Sequence, residues 1–188
     1  MKFRIALIAL ALAAAGCDRQ ASTAGGADAP QLDAPAPENE PARVFAAAND
    51  GARAAAAELN VSVSLRLPDA DNADGDAQEV LTLRGGNGLL VESEITGSVS
   101  PATQVGGHTL RALLSIPVEE PQVLVYRVMN ETKPEGGGGL CGADAPAFLV
   151  VWEPAGPGEP VMKVLGVTGG QPGAANSRAC TMLEYRRG

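Results

Sequence analysis

The tightest constraint on how this chain can fold is a two-residue period. Val61, Val63, Leu65 and Leu67 alternate with Ser62, Ser64 and Arg66, and a strand is the regular element that sends alternate side chains to opposite faces. Short apolar segments at 79–84, 88–95, 109–116, 122–129, 147–152, 161–167 and 180–186 read as further strands, nearly all bounded by turn residues. Gly85-Gly86-Asn87-Gly88 predicts a hairpin, because Asn and Gly tolerate positive φ. Pro154–Pro160 predicts a loop between two strongly apolar runs. Phe148–Trp152 is apolar at every position, which predicts a central strand covered on both faces. Together they predict a mostly β fold: an antiparallel barrel or sandwich of about eight strands with no helical pattern between them.

Residues 43–188 have the usual length of one β-rich domain and show no repeat of fixed period. Its start, Arg43 to Leu59, is alanine-rich and broken by Asp50-Gly51, which predicts one or two short helical turns. The segment 18–42 differs sharply. It carries Pro30, Pro35, Pro37 and Pro41, and Leu32 is its one large apolar side chain. So little apolar surface cannot offset ordering entropy, so a disordered linker is expected, its ends roughly 25–30 Å apart.

Before it stand Lys2 and Arg4, the apolar run Ile5–Ala15, and the small residues Ala14-Ala15-Gly16 directly ahead of Cys17. That order is a secretory signal peptide over residues 1–16. The run is shorter than the roughly 20 residues a membrane-spanning helix needs, and Asp18, Arg19 and Gln20 follow at once. Ala14-Ala15-Gly16-Cys17 resembles the lipobox of bacterial lipoproteins. The resemblance implies cleavage after Gly16, a diacylglycerol thioether on Cys17 and acylation of the new amine. Each buried methylene then contributes about 0.8 kcal/mol of anchoring. The plainer alternative is a secreted protein with a coincidental cysteine. The resemblance implies a membrane-anchored domain in the bacterial cell envelope, facing the periplasm. Asp18 points to inner-membrane retention in enteric bacteria, but Arg19 is not its usual companion, so both membranes stand as destinations.

Once Cys17 is acylated, Cys141 and Cys180 are the remaining cysteines. Two cysteines in an exported domain favour a structural disulfide. A metal site wants more ligands, and His108, the single histidine, is isolated in sequence. A redox pair is more often C-x-x-C.

Other motifs carry less chemistry. Asp69, Asp71, Asn72, Asp74 and Asp76 invite a calcium reading, but placing Gly75 sixth in an EF-hand loop puts Ala70 first and Leu81 twelfth. A solvated loop is the simpler reading, with a weak non-EF-hand calcium site as the alternative. The glycine run 136–139 has no Lys-Ser or Lys-Thr after it, so it reads as a mobile loop leading to Cys141 and not as a phosphate cradle. His108 has no nucleophile motif beside it and reads as a surface or strand-start residue. Glu92 and Glu94 share one strand face; glycosidases use paired carboxylates across a cleft, but two exposed glutamates on a sheet edge are the commoner reading. Trp152 and Tyr185 read as core or rim residues. No catalytic, cofactor or metal residues are assigned.

The chain carries 14 basic and 22 acidic residues, and removing Lys2 and Arg4 with the signal leaves a formal net charge of −10. That argues against nucleic acid or anionic lipid as partners of the domain. The stretch Gly139-Leu140-Cys141-Gly142, then Trp152, Cys180 and Tyr185, resembles the C-terminal half of small proteobacterial lipoproteins of unknown function, a family that implies no activity. A lipoprotein with a small disulfide-linked β-domain also resembles the membrane-bound inhibitors of c-type lysozyme. Those carry a Ser-Gly-x-x-Tyr segment; Thr96-Gly97-Ser98 is the nearest match, and no tyrosine follows. The expected function is therefore a non-enzymatic, tethered binding or structural module with a possible protein partner in the envelope. The alternative is an inhibitor of a basic envelope hydrolase such as lysozyme, and a catalytic role comes third.

Overall fold

The alternating segments pair into a closed antiparallel barrel. The structure is a computed structural model that describes residues 41–68, 76–154 and 160–187, all within one compact unit. The elements are β1 (Arg43–Ala47), α1 (Asp50–Ala55), β2 (Glu58–Arg66), β3 (Gln78–Gly85), β4 (Leu90–Val99), β5 (Gln104–Val105), β6 (His108–Thr109), α2 (Leu110–Leu114), β7 (Val123–Thr132), β8 (Phe148–Trp152), β9 (Val161–Thr168) and β10 (Arg178–Arg187). The barrel order is β1-β10-β9-β8-β7-β4-β3-β2, and β5 and β6 form a separate two-stranded ribbon. Of the two architectures expected, the barrel is the one adopted.

Two expected elements differ. The segment 109–116 is not a barrel strand. Thr109 caps the N-terminus of α2 by accepting from the Ala112 amide, and Leu110 and Leu114 meet on one helical face. Both are fully buried, so the helical i,i+4 spacing wins over the short apolar run. The missing strand comes from the alanine-rich start. Arg43–Ala47 pairs with β2 on one side and β10 on the other. Tertiary pairing there overrides the helical propensity of alanine. The short helix expected in this region does form, as α1. Asn49 caps it, with its side-chain oxygen taking the Ala52 amide at 2.8 Å.

The barrel interior is filled by alternate residues of each strand, including Phe45, Leu59, Val61, Leu83, Val91, Leu149, Val164, Leu183 and Tyr185. Each of the large aliphatic and aromatic side chains buried there contributes roughly 1.5–3 kcal/mol relative to exposure. A second apolar cluster lies on the outside. Val105, Leu110, Leu114 and Ile116 pack on Val123, Val125, Val150, Trp152, Leu165 and Val167. The segment between β4 and β7 therefore covers the outer face of β7, β8 and β9. This double cover is why Phe148–Trp152 is apolar throughout. The hairpin at Gly85–Gly88 forms as expected, with Gly88 at φ 96°.

One end of the barrel is plugged. α1 joins β1 to β2 there, and Ala52, Ala55 and Ala56 enter the interior cluster. The Tyr185 hydroxyl lies 3.3 Å from the Ala52 carbonyl and 3.2 Å from that of Ala56. The Asn87 side-chain amide donates to the Ala55 carbonyl at 2.8 Å, so the hairpin holds the helix from the far side. Leu140 is buried in the same cluster. Its turn is pinned by Glu131, whose Oε1 accepts the Leu140 amide at 2.7 Å. The glycine run leading into it ends in a tight turn in which Gly139 and Gly142 exchange backbone hydrogen bonds.

Cys141 and Cys180 form a disulfide at this end, with Cα atoms 5.3 Å apart. The ladder between β9 and β10 slips between Ala179 and Thr181, so Cys180 is the extra residue of a bulge opposite Gly166. A Cβ on Gly166 would stand 2.6 Å from one sulfur and 2.8 Å from the other. The bridge therefore needs glycine beneath it. The bonded cysteines are 39 positions apart, for which chain entropy predicts a contribution of about 4 kcal/mol. Reduction should lower the denaturant midpoint accordingly. Gly166→Ala should shift the oxidised protein in the same direction, and equal midpoints for Gly166→Ala and the parent would refute the seat described here.

Candidate functional site

Antiparallel order brings the starts of β1, β3, β7 and β9 to the other end of the barrel, with the ends of β2, β4, β8 and β10. No helix lies across it among the described residues. The inward phase of three strands there passes from apolar to charged. Arg43 is in phase with Phe45, Glu79 with Leu81 and Leu83, and Glu153 with Leu149 and Val151. The result is a cavity of about 370 Å³ with an apolar floor, including Val61, Leu81, Val151 and Met162, and a polar rim.

The rim is held by contacts that skip strands. The Arg43 guanidinium lies 2.6 and 2.7 Å from the two Glu153 carboxylate oxygens, although β10 and β9 stand between β1 and β8. Its charge also stacks 5.6 Å from the Phe45 ring centre. The Tyr126 hydroxyl donates to Glu79 at 2.7 Å, reaching past β4. Burial, and then the bond to Glu79, hold the Tyr126 phenol well above its ordinary value, so it stays a neutral donor. From the loop ahead of β7, Glu120 accepts the Trp152 indole N–H at 3.1 Å. Gln122 lines the cavity beside it, and its side-chain oxygen accepts the Ser98 hydroxyl at 2.9 Å. Leu65 and Leu124, at this same end, are large apolar side chains left exposed.

The residues singled out in the sequence fall elsewhere, Trp152 excepted. Cys17 lies outside the described residues, as do Asp69, Asp71, Asn72 and Asp74; Asp76 is described and exposed. Among the described residues no group of three or more His, Cys, Asp or Glu is placed to hold a metal ion. Cys141 and Cys180 belong to the plugged end. His108 is exposed on β6, as expected of a surface residue. Glu92 and Glu94 do share the outer face of β4, but β4 is not a sheet edge: it pairs with β3 and β7. Glu94 is engaged by Arg66 at 2.5 Å and Arg127 at 3.2 Å. Thr96-Gly97-Ser98 lies at a register shift of β4, with Gly97 at φ 131°. Tyr185 is core, and Trp152 sits where the outer cluster meets the rim.

Arg43, Glu79, Glu120, Tyr126 and Glu153 escaped the sequence reading. The signal available for three of them was a charge in the inward phase of a strand, next to apolar residues of the same phase. Such a position is costly unless paired or wet, which marks a mouth or a site.

No helix among the described residues is long and apolar enough to cross a membrane. No family model, curated protein or solved structure matches the chain.

The two buried phenols predict the alkaline behaviour. Burial raises Tyr185 from 10.0 to about 12, and Tyr126 is raised as well. Unfolded, both lose their protons near pH 10, so ionisation then favours unfolding. Their contribution is fully present below pH 10 and is lost as pH rises from there through about 12. Melting temperature should hold up to about pH 9.5 and fall above 10. The Tyr126→Phe/Tyr185→Phe double variant should fall less steeply, and an equal slope would show that these phenols are not the titrating groups.

Proposed function

We propose that this protein is a tethered lipoprotein of the bacterial cell envelope, anchored through acylated Cys17, and that its barrel is a non-catalytic module binding a small ligand at the open mouth. The observation that carries the binding role is the asymmetry of the barrel. One end is closed by α1, Leu140 and the disulfide, with a hollow of about 430 Å³ between them that has no charged side chain among the described residues of its lining. The other holds a cavity of about 370 Å³ that combines an apolar floor with a charged rim. Binding sites for small molecules favour concave, mostly apolar spaces with a few placed polar groups, often in the mouths of barrels. The apolar floor and the rim of Arg43, Glu79, Glu120 and Glu153 fit that description.

The same lining supports a binding role over catalysis. Of the residue types that serve as nucleophiles, the described residues around the cavity supply carboxylates and one phenol, and no Ser, Thr, Cys, Lys or His. Arg43 and Glu153 are committed to each other, and Tyr126 to Glu79. Inhibition of a basic hydrolase is a reading that acidic net charge alone favours.

The anchor is tested by Cys17→Ser. The variant should move from the membrane pellet to the soluble fraction, because loss of the acyl chains removes their anchoring energy. Variant protein that still pellets after a high-salt wash would remove the basis of the lipoprotein reading. The binding role is tested by an NMR fragment screen. Fragments should shift resonances of Val61, Leu81, Val151 and Met162. Shifts confined to α1 and the Gly139–Gly142 turn, or none at all, would refute a site at the mouth.

A further inference from the structure

We infer that the mouth selects a cationic head group, a primary ammonium or guanidinium, carried on a short apolar stem. This rests on the mouth being a binding site and adds the chemistry of what binds there. Among the described residues the rim contains one cation and three carboxylates: Arg43 against Glu79, Glu120 and Glu153. Arg43 and Glu153 neutralise each other at 2.6 Å. Glu79 and Glu120 accept hydrogen bonds from neutral donors, the Tyr126 hydroxyl and the Trp152 indole. Neither is in an ion pair among the described residues. Among the described residues the mouth is thus left with two negative charges outside any ion pair above low-dielectric walls, an arrangement that focuses field and concentrates cations.

The hydrogen bonds also pre-organise these carboxylates. Among the described residues, each has one oxygen held by a protein donor and the other without a hydrogen bond. An ammonium or guanidinium would supply a charge-assisted donor to the second oxygen without displacing the first. A carboxylate or phosphate ligand would instead meet two like charges, and its natural partner, Arg43, is already occupied. The apolar floor below, Val61, Val63, Leu81 and Met162, rewards a hydrocarbon stem but not a bare ion. The volume lies at the low end for small-ligand cavities, which suits a short stem. The Trp152 ring at the same rim already has the Lys163 ammonium 5.4 Å from its centre, so its part in the site is the indole N–H that holds Glu120.

Trp152 is the single tryptophan of the chain, so its fluorescence reports on this site directly. The full-length protein in maltoside micelles is titrated with hexylammonium, hexanol and hexanoate. Hexylammonium should give a saturable change, tighter than hexanol, with hexanoate weakest. Its affinity should fall with added salt while that of hexanol does not. In Glu79→Gln/Glu120→Gln, folded by circular dichroism, hexylammonium should bind about tenfold more weakly, with hexanol unchanged. Should that variant not fold, the salt dependence of the parent carries the test. A capped apolar peptide with one central Lys separates the two sources of such a head. Tighter binding of the peptide assigns a protein side chain, and tighter binding of hexylammonium a free amine. Hexanoate binding as tightly as hexylammonium would overturn the cation assignment and leave a binding mouth in place. No response to any of the three would overturn both.

Discussion

Closure of the sheet is the constraint on which everything else depends. β1 pairs with β2 through one row of backbone groups and with β10 through the other. A strand from the start of the domain and one from its end thus complete the ring and leave no unpaired edge in it. Once closed, the barrel has a single inward phase on every strand, and the rest follows from which residues fall in that phase. Phe45, Leu59, Leu83, Leu149, Leu183 and Tyr185 make the interior apolar. Arg43, Glu79 and Glu153, in the same phase but one step nearer the strand ends, make one mouth polar.

The two ends are built by different devices. At the plugged end the chain spends short insertions on closure: α1 between β1 and β2, the hairpin that bonds α1 through Asn87, and the Leu140 turn held by Glu131 and the disulfide. Glycine permits the closest approaches there. Gly166 leaves room for the two sulfurs, and a Cβ on Gly139 would fall 2.4 Å from the Glu131 carboxylate. At the other end the long insertion between β4 and β7 bends away from the mouth. It lays Leu110 and Leu114 on the outside of β7, β8 and β9. Lys163 secures it by donating to the Leu114 carbonyl at 2.9 Å, and its ammonium stands 5.4 Å from the Trp152 ring. The insertion thereby buries an outer face that would otherwise be an apolar patch, and among the described residues no helix covers the mouth.

A barrel closed at one end and polar at the rim of the other is a container, and the proposed function is drawn from that form. The rim is strapped across its width by Arg43–Glu153 and by Tyr126–Glu79, so its carboxylates are held in place before any ligand arrives. Such pre-organisation reduces the ordering cost of binding.

Much of this was legible in the sequence. Strict alternation from Val61, the Gly85–Gly88 hairpin, the all-apolar Phe148–Trp152 and the paired cysteines each reflect a simple rule: the pleat, the turn conformation, burial on two faces, the pairing of two thiols. These determined a mostly β domain with a C-terminal staple. What tertiary structure decided lay where local preference was weak or contrary. Arg43–Ala47 reads as helix and becomes a strand because closure needs it between β2 and β10. Residues 109–116 read as a strand. They become α2 because the outer face of β7, β8 and β9 needs a cover that a ninth barrel strand cannot supply. The choice of barrel over sandwich rests on the pairing of the first strand with the last, and no local pattern encodes it. The mouth was hidden for the same reason. Arg43, Glu79, Glu120, Tyr126 and Glu153 are distant in sequence, and only the ring of strands brings their charges to one rim.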